Sequence, residues 1–288
     1  MKHSTDDATD LQQAEAPGTN KSHNHGSAAK ENPPVLLAET NASGVLTLTL
    51  NRPNHYNALS HEMLDALQQA IDSINTDVRV VVIAAKGKAF CAGHDLKEMR
   101  ANVEEQWQKE LFDKCSHFMQ SLIKLQQPVV ARVQGIAAAA GCQLVANCDL
   151  AVASTDSQFG VSGINLGLFC STPSVALARN VSRKRSFEML MTGEFIDSAK
   201  AVDWGLINKS VTPESLDASV SQLCETICSK PKVAVRTGKK LFYQQIDQPL
   251  EAAYEMAATA MACNMMAADV SEGIDAFLEK RPPNWPED

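Results

Sequence analysis

The chain contains no run of 18 apolar residues, so no part of it is expected to cross a bilayer as a helix. It also lacks a basic excess. Its 26 Lys and Arg stand against 34 Asp and Glu, for a net charge of −8. A general nucleic-acid or membrane-surface binder needs a positive field, so neither partner is expected, and an anionic ligand must be held by a local basic pocket. No CxxC pair occurs among Cys91, Cys115, Cys142, Cys148, Cys170, Cys224, Cys228 and Cys263. Scattered in apolar surroundings, they read as reduced thiols of a cytosol-like compartment. Residues 1–34 lack arginine and any apolar core, and carry Asp6, Asp7, Asp10 and Glu15. That is a poor mitochondrial transit peptide and no secretory signal, so the location expected is cytoplasmic, or the mitochondrial matrix in a eukaryote. The segment is polar and aperiodic, and it is expected to be disordered. His23 and His25 within it read as solvated residues, and no metal site is expected.

What is present is the patterning of an α/β protein. Val45-Leu46-Thr47-Leu48-Thr49-Leu50 alternates as a half-buried strand does. Met63, Leu64, Leu67, Ala70, Ile71 and Ile74 fall at helical spacing after a candidate N-cap, Ser60. Val78–Ile83, Val129–Val133 and Asp149–Ala153 read as buried strands, and 103–126 reads as a helix ending before Pro128. Repeated β-α-β crossovers imply parallel pairing with helices on the sheet faces. From about residue 174 the strands are expected to stop. Thr212-Pro213 opens a helix striped by Leu216, Val220, Leu223, Cys224, Ile227 and Cys228, and two more helices are expected over 249–267 and 269–280. Asp269 with Glu272 resembles a capping box. The Met256, Ala260, Met261 and Met265 stripe suits a core or a subunit interface.

Two segments stand out for chemistry. Ala89-Phe90-Cys91-Ala92-Gly93-His94-Asp95-Leu96-Lys97-Glu98-Met99 and Val133-Gln134-Gly135-Ile136-Ala137-Ala138-Ala139-Ala140-Gly141-Cys142-Gln143-Leu144 each follow a buried strand and open a helix. Small residues let a ligand approach the backbone, and a helix start offers unpaired N–H groups and a positive dipole end. Two such turns side by side can aim two N–H donors at one oxygen. Tight strand-to-helix packing selects the same residues, so each segment taken alone leaves both readings open.

Together they resemble the crotonase superfamily, which includes enoyl-CoA hydratases and isomerases. Further pieces are Asn51-Arg52-Pro53 with Asn57-Ala58-Leu59, Asn147 to Ala153, Gln158-Phe159-Gly160, Met191 to Glu194 and Ala201 to Ile207. The stretch Leu166 to Pro173 and the chain's ending look like one particular branch. The resemblance runs from about 35 to 285. It implies a spiral of ββα units over 35–230 and a C-terminal helical trimerisation region over 231–288, assembled as homo-trimers or hexamers. The implied oxyanion donors are the main-chain N–H groups of His94 and Ala140. The CoA moiety, part of the substrate and not a resident cofactor, is implied near Ala58, Leu59, Ala92, Asp95 and Leu96. Arg52 and Lys97 are candidates for its phosphates, and Cys170 and Ser171 for the acyl pocket.

Hydratases of this family use two glutamates. Their positions here hold Gln143 and Gly163. Glutamine takes no proton from water at neutral pH, and glycine offers no side chain. General acid–base help contributes ~10²–10⁴-fold per group, so ordinary hydration is not expected. The chemistry expected needs only enolate stabilisation, as in isomerisation, decarboxylation or thioester hydrolysis. A non-catalytic acyl-CoA binder is the alternative. Dihydroxynaphthoyl-CoA synthases, where bicarbonate stands in for the second carboxylate, are a lesser one.

Overall fold

The structure, a computed structural model, describes residues 33–285. The segment read as a tail lies outside these residues apart from Pro33 and Pro34. Among the described residues the strands are β1 (Leu36–Thr40), β2 (Val45–Leu50), β3 (Val80–Ala85), β4 (Ala89–Cys91), β5 (Val129–Val133), β6 (Ile136–Ala138), β7 (Leu150–Ser154), β8 (Gln158–Gly160), β9 (Ile196–Asp197) and β10 (Lys209–Val211). The helices are α1 (His61–Asp72), α2 (Leu96–Ala101), α3 (Glu105–Lys124), α4 (Ala140–Asn147), α5 (Ser171–Asn180), α6 (Arg183–Thr192), α7 (Ser198–Asp203), α8 (Leu216–Cys228), α9 (Lys232–Gln245), α10 (Leu250–Asn264) and α11 (Ala268–Glu279).

The longer strands form one sheet in the order β1-β2-β3-β5-β7-β10, parallel from β2 onwards. Side chains alternate across it. Val81, Ile83 and Ala85 of β3 join the main core with Leu46, Leu48 and Leu50, against Leu64 and Leu67 of α1 and Leu111, Phe118 and Leu122 of α3. Val80, Val82 and Ala84 join a second cluster under Leu216, Val220 and Cys224 of α8. A buried side chain of this kind contributes roughly 1.5–3 kcal/mol, which is why the sheet's register is firmly set. Ser60 caps α1 as expected, its hydroxyl accepting from the Met63 N–H at 3.2 Å.

The short strands form a second sheet, β4-β6-β8-β9, of which β4, β6 and β8 are parallel. Successive turns of the chain give one strand to each sheet, β3 then β4, β5 then β6, β7 then β8, before a helix follows. This is the ββα spiral implied by the resemblance. The strands do not stop at 174, however. β9 pairs with β8, and β10 pairs with β7 at the edge of the large sheet. Two- and three-residue strands are too short to show alternation. The capping box also fails. α11 starts after Ala267 without a side-chain cap, while Glu272 holds Arg281 at 2.7 and 2.9 Å.

α9 is pinned to the large sheet by a polar knot. Lys239 Nζ lies 2.7 Å from Asp149 Oδ2 and donates to the Leu122 and Gln127 carbonyls at 2.8 and 2.9 Å. Asp149 also accepts from the Val129 N–H at 2.6 Å and from the Tyr243 hydroxyl at 2.8 Å. Beyond α8 the described chain is helical, and Leu250, Tyr254, Met261, Met266, Phe277 and Leu278 of this region and its connecting turn are exposed. Met261 and Met265, read as core or interface, lie outside the core of the single chain. All eight cysteines are unpaired. No helix among the described residues is long and apolar enough to cross a membrane.

Candidate active site

Because β4, β6 and β8 run parallel and side by side, their following turns meet at one end of the small sheet. Ligands of parallel α/β sheets commonly gather at such carboxyl ends. The β4 turn passes through Gly93 at φ +95° and enters α2, where Asp95 caps the Lys97 and Glu98 N–H groups. Leu59 donates its N–H to the Gly93 carbonyl at 2.8 Å and tethers the turn. The loop before it is built around buried Asn57. Its side chain accepts from the Arg52 N–H at 2.9 Å and donates to the Lys86 and Ala89 carbonyls at 2.8 and 2.9 Å.

The β6 turn passes through Ala139 at φ +48°, ψ −117° and enters α4 at Ala140. An L-residue is strained there, and such strain gathers at functional sites. The two turns are in contact. A side-chain carbon built on Gly93 would meet Ala139 Cβ at 3.0 Å and the Ala140 nitrogen at 3.3 Å. As the first residue of α4, Ala140 has an N–H without an intrahelical acceptor. Among the turn, loop and cap hydrogen bonds of the described residues, neither the His94 nor the Ala140 N–H donates to the main chain.

A cavity of about 300 Å³ opens beside these turns. Its wall includes His94, Ala140, Gly163, Cys170, Ser171, Ala92 and Leu96 from the sequence reading. Met99, Phe112, Ala139, Ser162, Leu166, Leu168, Phe169, Thr172 and Pro173 complete it. Sequence reasoning did not assign Met99 and Phe112 to the site, because an apolar residue on a helix reads as core. No lining residue carries a carboxylate, a lysine or an arginine.

The remaining candidates lie elsewhere. Arg52 does not stand free for a phosphate: its guanidinium donates to Ser60 Oγ at 2.9 Å and pairs with Asp95 at 3.6 Å. Asp95 is thereby committed to a cap and an ion pair. Ala58 and Leu59 are buried beneath the loop, and Lys97 is exposed. Gln143 is buried on α4 and off the cavity wall, with its Oε1 lacking a hydrogen-bond partner among the described residues.

Gly163 has no room for a side chain. A Cβ there would lie 2.5 Å from the Leu168 carbonyl oxygen and 2.7 Å from Cys170 Sγ. That sulfur accepts from the Gly163 N–H at 3.3 Å. Burial pushes the Cys170 thiol up, with the Gly163 N–H opposing, so it stays protonated and a poor nucleophile at neutral pH.

His94 contributes its ring as well as its backbone. Nδ1 lies 3.2 Å from the Leu59 carbonyl. A carbonyl only accepts, so Nδ1 carries the proton and neutral His94 keeps its lone pair on Nε2. Nε2 is sealed from solvent and has no partner among the described residues. The ring stands edge-on to Phe112, with centroids 5.4 Å apart. Burial pushes the imidazole below its ordinary 6.5, the Leu59 carbonyl opposes this, and nearby His61 adds to the fall. Among the described residues no group of three or more His, Cys, Asp or Glu is placed to hold a metal.

Residues 40–288 match the family model described as enoyl-CoA hydratase/isomerase. The chain is 43% identical over 262 residues to the mitochondrial enoyl-CoA hydratase domain-containing protein 3 of Mus musculus, covering 90% of this chain and 87% of that one. The crystal structure of the human protein of that name superposes with a TM-score of 0.85 at 42% identity, over 87% of this chain and 100% of that one. That is the branch which Leu166 to Pro173 resembles. An enoyl-CoA hydratase structure from Mycobacterium smegmatis superposes with a TM-score of 0.87 at 55% identity, over 88% of this chain and 99% of that one.

Proposed function

The chain belongs to the enoyl-CoA hydratase/isomerase family, and from that membership we propose that its cavity takes an acyl-CoA thioester and stabilises the thioester oxygen as an enolate or oxyanion. The donors are the main-chain N–H groups of His94 and Ala140. The observation that carries the reading is the contact between their two turns, which brings Ala140 N within 3.3 Å of a carbon built on Gly93. Negative charge developing on the thioester oxygen meets preformed dipoles there, and loss of one such donor typically costs ~10²–10³ in rate. Lys97, exposed at the start of α2, is the cation left for the CoA phosphates. The apolar wall from Met99 and Phe112 to Leu168 and Phe169 receives the acyl chain.

Ordinary hydration is not part of this reading. Gln143 and Gly163 supply no carboxylate to hold and activate water. What remains is lyase or isomerase chemistry that runs through an enolate, in fatty acid metabolism. The same lack of carboxylates favours a second reading, an acyl-CoA binder without turnover. The dihydroxynaphthoyl-CoA-synthase-like reading loses support. The direction a Gly163 side chain would take is filled by the Leu168 carbonyl and Cys170 Sγ, and no residue lining the cavity carries a cationic side chain to hold bicarbonate. The exposed apolar residues of α10 and α11 support assembly as a homo-trimer or hexamer. The unpaired cysteines support a reducing compartment, the cytoplasm or a mitochondrial matrix.

The test is calorimetry against a panel of acyl-CoA esters, followed by mass spectrometry of the products. Binding with product supports the enzyme, and binding without product supports the binder. Absence of binding to every ester would end both readings, and crotonyl-CoA hydration at ordinary family rates would end the claim that hydration is lost.

A further inference from the structure

α2 has six residues and fully buries none of them, so it is too short to stand alone and apolar burial does little to hold it. Polar bonds do. Asp95 Oδ1 accepts from the Lys97 and Glu98 N–H groups at 3.1 and 3.3 Å. Glu98 Oε2 accepts the first N–H of α1, that of His61, at 3.1 Å. At the far end Gln108 of α3 donates to the Met99 and Asn102 carbonyls at 2.8 and 2.5 Å. The second oxygen of Asp95 faces Arg52 at 3.6 Å, and the same guanidinium nitrogen donates to Ser60 Oγ at 2.9 Å. Arg52 therefore touches both N-cap side chains, Ser60 of α1 and Asp95 of α2. The side chains of the ion pair are 18% and 15% exposed, so salt and water screen it less than a surface pair.

The segment between these caps sets the direction of the His94 N–H. Gly93 C=O and His94 N–H belong to one planar trans peptide, so they point in opposite directions. The Leu59 N–H holds that carbonyl at 2.8 Å, which turns the His94 N–H away from the 57–60 segment. The pairing of Leu59 with His94 is an isolated bridge outside the named strands, so no ladder maintains it. The loop that delivers Leu59 takes left-handed backbone at two successive non-glycine residues, Tyr56 at φ +50° and Asn57 at φ +53°. Such backbone persists only where its surroundings fix it. Asn57 fastens the loop to β4 through the Ala89 carbonyl, and Arg52 fastens it to the start of α2.

We infer that Arg52 is a positioning residue of the oxyanion site: through Asp95 and Ser60 it clamps the 57–60 segment against the start of α2 and so aims the Gly93–His94 peptide at the thioester oxygen. This rests on the acyl-CoA reading above, and it gives Arg52 a part other than holding CoA phosphates. A hydrogen bond weakens steeply once its donor angle falls below ~120°, so a loosened clamp costs polarisation of the thioester before it costs binding. Lysine at this position would keep the charge without the planar fork, and is expected to hold the clamp only in part.

The experiment uses the full chain and hexanoyl-CoA labelled with ¹³C at the thioester carbonyl. Isotope-edited infrared spectroscopy reads the carbonyl stretch, which falls as the oxygen accepts hydrogen bonds, and calorimetry reads affinity. Wild type is expected to lower the stretch relative to the free ester. Arg52→Gln and Asp95→Asn are each expected to lose most of that lowering. Their affinity is expected to fall ~10-fold at most, because one hydrogen bond to a neutral oxygen has a modest net worth. Asp95→Asn keeps a capping oxygen for α2, so it tests the ion pair even where Arg52→Gln disturbs folding. Arg52→Lys is expected to keep part of the lowering. Lys97→Gln removes the neighbouring exposed cation, and is expected to weaken binding while leaving the lowering intact. Arg52→Gln and Asp95→Asn proteins that bind hexanoyl-CoA with the wild-type stretch overturn the inference. So does a Lys97→Gln protein that loses the lowering as Arg52→Gln does. A wild type that binds hexanoyl-CoA with the stretch of the free ester removes the oxyanion role of His94 and Ala140. Failure of every CoA ester to bind removes the acyl-CoA reading itself, and the clamp's role falls with either.

Discussion

Two polar clusters among the described residues are finished differently. In the Asp149–Lys239–Tyr243 knot each charged or hydroxyl group meets a partner at 2.6–2.9 Å, main-chain groups included. At the cavity, neither His94 Nε2 nor Gln143 Oε1 on neighbouring α4 has a hydrogen-bond partner among the described residues, and Ala139 is strained. A closed network answers to the fold alone, whereas a network left open, in a well-packed core, answers to something that arrives. The knot is therefore expected to govern stability, and the cavity to govern chemistry at little benefit to stability.

The strongest way to break this contrast is Lys239→Ala. It leaves the Asp149 carboxylate and the Leu122 and Gln127 carbonyls without their cation, and removing one partner of a buried pair costs roughly 3–5 kcal/mol. Urea unfolding should register a loss of that size with hexanoyl-CoA affinity little changed in the folded fraction. A loss under about 1 kcal/mol, the level of a surface pair, would show that the knot is not what pins α9.

Next in size is Gly163→Ala, the one place where cavity and packing coincide. Its Cβ would meet the Leu168 oxygen at 2.5 Å and Cys170 Sγ at 2.7 Å. The Leu168 oxygen is main chain and cannot yield without moving the 163–170 loop, so overpacking of roughly 1–3 kcal/mol is expected in urea melts. For the same reason Gly163→Glu is not expected to restore hydration of crotonyl-CoA. A Gly163→Glu protein with both native stability and hydratase activity would contradict the packing described.

The sequence showed one half of this architecture well and the other poorly. β2, β3, β5 and β7 are long enough for apolar alternation to register, and Gly93 and Ala138–Gly141 mark turns by their size alone. β4, β6, β8 and β9 have two or three residues each, too few for a period to appear, so the small sheet that positions both turns was invisible to patterning and was implied only by the ββα resemblance. The Tyr243 to Asp149 bond spans 94 residues, and no local pattern signals it. The same holds for Cys170 filling the space beside Gly163, and for Arg52, whose partner Asp95 was itself read as a ligand contact. Phe112 and Met99 enter the cavity wall from helices whose stripes fit a plain core equally well.

A smaller effect tests the strain at the cavity. Ala139→Gly removes the Cβ that makes φ +48° costly, and it should stabilise the fold by about 1 kcal/mol despite glycine's larger unfolded-state entropy. If the mutant is instead destabilised, the strain assigned to this turn is absent and the contrast with the knot loses one of its supports.

The smallest expected effect is a pH dependence. His94 has its folded pKa below the unfolded 6.5, chiefly through burial. Above 6.5 both states hold the neutral ring and the fold keeps its full stability. As pH drops from 6.5 towards the folded pKa, the unfolded chain takes up a proton that the folded chain refuses, so stability falls with falling pH. The difference in urea midpoint between wild type and His94→Gln, followed from pH 8 to 5, isolates this group from the other histidines. Wild type should lose ground relative to the mutant only on the acid side. A difference that stays flat across that range would mean that His94 is as easily protonated folded as unfolded. The sealed, partnerless Nε2 on which the contrast between cavity and knot depends would then be wet.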